Sequence, residues 1–244
     1  MANTAALYDE TRRTISDLVR ALPEDRLHGS VPATPEWSIR DIVCHLAGDV
    51  ASVLEGDFPR EFFQSFGDAD TVVTLNKWTG RHIEDRREHS LEEVLSEWED
   101  NSKRVTPMMS ADIEWPEGVP VFTDRVLLTD VTVHLHDIYG ALGRKDDRDA
   151  PGIRIANAGY ITTIGWRLGG TGLPPVLFVS GDSERVAGEG EPAATVRADR
   201  FEMFRALSGR RNPNQIRAFD WEGDPEPYIT YFYPYGIREE ALEE

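Results

Sequence analysis

The stretch "LLTDVTVHLHDIYGAL", residues 127–142, sets one aspartate and two histidines, with a second aspartate, among residues that favour burial. On a helix, residues three and four apart share a face. Asp130, His134 and Asp137 therefore form one line along the stripe of Leu127, Val131, Ile138 and Leu142. His136 turns away by about 200° from His134, at about 100° per residue, and belongs to another face. Ionisable groups inside an apolar stripe are costly unless they are paired or bound to a cation, so the line needs a partner. His45 offers one, at the edge of a second apolar stripe between Ile42 and Leu46. Two imidazoles and a carboxylate, His45, His134 and Asp130, are the ligand set of an open catalytic zinc site. Asp137 can then accept from an imidazole N–H and orient it. Spacing alone favours a second reading, in which these are core histidines satisfied by hydrogen bonds. His28 and His89 fall at loop or cap positions and His82 among charges, which by default puts all three on the surface. Cys44, about 100° round the helix from His45, reads as a small buried apolar side chain.

Helices must carry these groups. Ile15, Leu18, Val19 and Leu22 give a first helix over 4–22, ended near Pro23. Ser38, with Asp41 three residues on, opens a second that carries Ile39, Ile42, Val43, Leu46, Ala47 and Val50 on one stripe. A third covers 71–87, and Ser90 with Glu93 starts a fourth bearing Leu91, Val94, Leu95 and Trp98. After "EWPEGVP" comes the histidine-bearing helix, 123–142. Several amphipathic helices bury their faces most simply as a bundle. The charged "GRKDDRDAPG", 143–152, marks a boundary, giving an expected helical domain at 1–145 and a smaller α/β domain at 152–244. In the latter, a helix over 153–168 precedes strand-like "PPVLFVSGD" and "AATVRAD". Asp199 then caps a helix that stops at Gly209. "FDWEGDPEPYITYFYPYG" reads as strand or ordered loop.

With 26 Lys and Arg against 44 Asp and Glu, the net charge of −18 opposes binding to nucleic acid or an anionic membrane. The start, "MANTAALYDETRRTISDLVRAL", lacks the basic stretch and continuous apolar core of a secretory signal, and no run reaches the roughly 18 apolar residues of a spanning helix. A cytoplasmic protein, monomer or homodimer, is expected. A single cysteine excludes an intrachain disulfide and a cysteine metal cluster, leaving His and carboxylates for any metal.

"TPEWSIRDIVCHLAGDVASVL" resembles the T-P-x-W-x7-H-L motif of the N-terminal domain of mycothiol-dependent maleylpyruvate isomerases, within the DinB-like metal-binding bundle superfamily. "DVTVHLHDIYGALG" resembles that family's E-x-x-x-H-x-x-D segment, and "ATVRADRFEMFRALSGRRNPNQIRAFDWEGDPEPY" is similar to its C-terminal domain. The resemblance implies a DinB-like four-helix bundle, with zinc or another divalent metal on His45, Asp130 and His134. Asp130 stands where the family usually has glutamate, one methylene longer. An arginine of the C-terminal domain is also implied near the active site, with Arg210 the first candidate and Arg205 and Arg211 its rivals. The implied chemistry uses mycothiol as thiol cosubstrate, deprotonated at the metal and adding to a small electrophilic substrate such as an activated cis double bond. Rotation and elimination complete an isomerisation, and retention of the adduct makes an S-transferase. A metal-dependent hydrolase, and a non-catalytic small-ligand-binding or regulatory protein on the same bundle, are the competing functions.

Overall fold

A computed structural model of the chain describes residues 3–65 and 68–244. In chain order its elements are α1 (Thr4–Arg20), α2 (Glu24–Leu27), β1 (Ser30–Val31), β2 (Thr34–Ser38), α3 (Ile39–Leu54), α4 (Arg60–Gln64) and α5 (Ala69–Glu84). They continue with α6 (Leu91–Met109), α7 (Thr123–Ala141), α8 (Pro151–Leu168), β3 (Val176–Ser180), β4 (Ser183–Ala187) and β5 (Ala194–Ala198). Last come α9 (Arg200–Leu207), α10 (Pro213–Arg217), β6 (Asp220–Glu222) and a 3-10 turn, Glu226–Phe232. The chain divides into two compact units. One comprises Met1–Arg60 and Val73–Asp146 with Glu244, the other Glu61–Val72 and Asp147–Glu243.

The first unit is a bundle of α1, α3, α6 and α7, in which α1 packs on α7 and α6 while α3 packs on α6 and α7. Its helices start where their side chains replace missing backbone partners. Ser38 Oγ accepts from the Asp41 amide at 3.1 Å, and Asp41 Oδ2 accepts from the Ser38 amide at 2.9 Å. Ser90 and Glu93 repeat this reciprocal cap at the head of α6. Each such cap contributes about 1 kcal/mol to the helix it starts. Ile15, Val19, Ile42, Val43, Val50, Leu95, Trp98, Leu128, Val131 and Ile138 fill the interior. From Val131 to Tyr139 every residue of α7 is buried, polar ones included. The helix stops at Gly143, whose φ of 69° lets the Arg144 amide turn back to the Tyr139 carbonyl at 2.8 Å. The β1–β2 hairpin, not expected from the sequence, presents Trp37 immediately before α3.

In the second unit the sheet order is β4-β3-β5-β6, with β3 and β5 parallel and both outer pairings antiparallel. Val176 and Phe178 of β3, with Ala194 and Val196 of β5, turn to the buried face. α8 packs against β4. A Cβ on Gly165 would lie 2.8 Å from the Gly188 amide nitrogen, so only glycine allows that approach. Phe178 and Phe232 pack with ring centroids 5.7 Å apart, and Phe62 stacks on Tyr235 at 5.8 Å. Glu61–Val72, which includes α4 and the start of α5, thus belongs with this unit although the residues on either side of it in sequence belong to the first.

Candidate metal centre

α3 and α7 bring His45, Asp130 and His134 together in the bundle core. One ligand atom from each lies within 4.8 Å of the others. His45 Nε2 is 3.2 Å from Asp130 Oδ2, and His134 Nε2 is 3.7 Å from Asp130 Oδ1. The two rings meet edge to face, with centroids 5.1 Å apart. Both histidines are buried, whereas the Asp130 side chain keeps 23% of its exposure and gives the cluster its side toward solvent. Trp37 lies against both imidazoles, 4.9 Å from the His45 ring and 5.8 Å from that of His134. Asp137, fully buried one turn beyond His134, has Oδ2 3.0 Å from His134 Nδ1. Its proximity leaves Nε2 as the nitrogen turned toward Asp130.

Burial works against the charged form of Asp130, but the facing His134 and His45 rings outweigh it and hold the carboxyl below the usual carboxylate range. Asp130 Oδ2 is buried and makes no hydrogen bond. Two imidazole nitrogens and an ionised carboxylate converging without hydrogen-bond geometry suit a divalent cation with one position left open. The shorter carboxylate at 130 reaches: its two oxygens already span the gap between the two rings.

The sequence reading put His82 on the surface and did not single out Asp49. The surface position expected for His82 is corrected: the residue is 3% exposed, and its ring meets that of Trp78 edge to face at 4.2 Å. Its Nδ1 lies 3.2 Å from Asp49 Oδ1 and 3.4 Å from His45 Nδ1. Burial, then the facing His45 ring, hold His82 far below the ordinary imidazole range. Burial and the neighbouring Asp130 carboxylate push Asp49 well above the carboxylate range. Asp49 stands four residues after His45, the spacing that also relates Asp130 and His134, so the signal for it was present in the sequence.

The other expected residues take simpler places. His28 and His89 are exposed. His136 is buried on another face, its ring edge-on to Tyr139 at 5.7 Å. Cys44 is buried, and its burial raises the thiol above its ordinary range. In the second unit Arg205, Arg210 and Arg211 are all buried. Arg211 forks onto Glu202 at 2.8 and 3.0 Å, and Arg205 is fully enclosed at 0% exposure. Arg210 Nη1 donates to the Ser208 carbonyl at 2.6 Å.

Residues 8–139, more than half of the chain, match the model of the mycothiol maleylpyruvate isomerase N-terminal domain. The fold is similar to a crystal structure of the mycothiol-dependent maleylpyruvate isomerase, with a TM-score of 0.54, 11% identity, and coverage of 85% of this chain and 88% of that one. A histidine-to-alanine mutant of that enzyme matches at the same TM-score, with 10% identity over 84% of this chain and 88% of its own. At such identities the likeness is one of fold. No curated protein sequence matches. Among the described residues no helix is long and apolar enough to cross a membrane.

Proposed function

The chain belongs to the mycothiol maleylpyruvate isomerase N-terminal-domain family, and on that premise we propose a metal-dependent isomerase or S-transferase that uses a small thiol, mycothiol, on a small electrophilic substrate. The convergence of His45, Asp130 and His134 carries the reading. These three residues would hold zinc or another divalent ion. Such an ion stabilises the thiolate of a coordinated thiol at neutral pH.

The chain's own residues supply the rest. His45 and His134 offer neutral nitrogens, and Asp130 brings the one negative charge, leaving net positive charge at the centre. Asp137, with Oδ2 3.0 Å from His134 Nδ1, would steady that ring once it holds a metal, the usual way a carboxylate fixes the orientation of a metal-binding imidazole. Trp37 walls off one side and limits water there. Arg210 would hold a substrate carboxylate through paired hydrogen bonds.

Protein purified without chelator is expected to carry metal, and His134→Ala is expected to remove the equivalent held by His45, Asp130 and His134. Metal-loaded protein is expected to isomerise maleylpyruvate, or consume thiol with a related cis-unsaturated acid, only when mycothiol is present. Turnover that ignores the thiol would instead identify a metal-dependent hydrolase and overturn the proposal. Arg210→Ala is expected to raise KM for an acidic substrate while leaving metal content unchanged.

A further inference from the structure

His45 has two ring nitrogens, and the centre above engages only Nε2. At Nδ1 the geometry closes a second triangle. His45 Nδ1 is 3.4 Å from Asp49 Oδ1, His82 Nδ1 is 3.2 Å from the same oxygen, and the two Nδ1 atoms are 3.4 Å apart. Ligands at about 2.0–2.1 Å from a tetrahedral ion stand about 3.3–3.4 Å from one another. The three edges match that figure. Asp49 Oδ1 is buried and makes no hydrogen bond, although two imidazole nitrogens face it.

The surrounding chain appears in the same geometry. Ser52 Oγ is 3.0 Å from His82 Nε2, and in the tautomer that donates its N–H to Ser52 the lone pair of Nδ1 is directed at Asp49 and His45. Arg86 fixes the end of α5, donating through Nη1 to the His82 carbonyl at 3.0 Å and through Nε to Glu97 at 3.0 Å. Gly48 makes the approach possible: a Cβ there would lie 2.3 Å from His82 Cβ, a separation that no other residue permits. A histidine that served only to fill space would need none of this.

We propose that His45 Nδ1, Asp49 Oδ1 and His82 Nδ1 form a second, fully buried seat for a divalent transition-metal ion, sharing the His45 ring with the first. Two nitrogens and one carboxylate oxygen select the zinc, cobalt and nickel class rather than calcium or magnesium. With both seats filled, the ring binds through both nitrogens and its remaining N–H proton leaves to solvent. The second seat does not depend on the thiol chemistry proposed above.

The test is titration of metal-free protein with Co2+, read by equilibrium dialysis and by the visible absorption of tetrahedral cobalt. His134→Ala and Asp130→Asn each disable the first seat. Each variant is expected to retain one equivalent of tetrahedral Co2+, which adding His82→Ala, or Asp49→Ala, abolishes. The second seat is overturned if His134→Ala and Asp130→Asn, folded by circular dichroism and a cooperative melt, bind no Co2+. It is also overturned if their bound Co2+ survives both added substitutions. His82→Ala alone keeps the first seat, so failure of that variant to bind metal removable by His134→Ala counts against the thiol-dependent centre and not against the second seat.

Discussion

Two polar clusters are buried in the same bundle, and they differ in how their atoms are satisfied. Between α1 and α6, Trp98 Nε1 donates to Tyr8 Oη at 2.8 Å, and Tyr8 Oη lies 3.5 Å from Ser102 Oγ, with all three residues at most 2% exposed. Burial pushes the Tyr8 phenol up, so it stays neutral and keeps its proton to donate. Among α3, α5 and α7, by contrast, Asp49 Oδ1 and Asp130 Oδ2 are buried with no hydrogen bond, and the two carboxylates are close enough to oppose each other's charge. A seam with matched donors and acceptors holds a fold together. A cluster of ionisable groups whose buried carboxylate oxygens lack hydrogen-bond partners is a poor structural element and a good cation site.

That contrast can be broken from either side. The largest expected effect is on the seam: Trp98→Ala removes a fully buried indole and should cost about 3–5 kcal/mol of stability by denaturant unfolding. Metal stoichiometry in the folded fraction should not change. Asp137→Asn should weaken metal binding about 10–100-fold by competition with a chromophoric chelator, with little change in the melt of metal-free protein. Tyr8→Phe leaves the Trp98 N–H without its acceptor and should cost about 1–3 kcal/mol, again without touching metal affinity. Smallest is Asp49→Asn, which removes one of two facing carboxylates. The metal-free protein should gain about 0.5–2 kcal/mol, the exchange of stability for function common at sites of this kind. If Asp49→Asn destabilises the metal-free protein instead, Asp49 belongs with the structural seam and the contrast fails.

Much of the bundle was legible because its signals are local. The Ser38–Asp41 and Ser90–Glu93 caps announce two helices, and the inward stripes of α3 and α7 carry His45, Asp130 and His134 on faces that periodicity alone identifies. His82 was hidden by its neighbours. Arg81, Glu84 and Asp85 mark the stretch as a solvated face, while Trp78, four residues before His82, is the faint sign of an inward one. What brings His82 to His45 is the missing side chain at Gly48, a contact between distant parts of the chain that no local pattern reveals. The β1–β2 hairpin escaped because β1 has only two residues, and β4 because "SERVA" is largely exposed, held at the edge of the sheet by pairing with β3.

The membership of Glu61–Val72 in the second unit has a practical consequence for anyone dissecting the gene. Cutting at the charged connector near Asp146 would look like a clean separation of bundle from sheet. It would leave Phe62, 2% exposed and stacked on Tyr235 in the intact chain, as a greasy ring in water on the truncated product. Aggregation of such a fragment would say nothing about its metal chemistry, and the two halves are better studied by point substitution than by scissors.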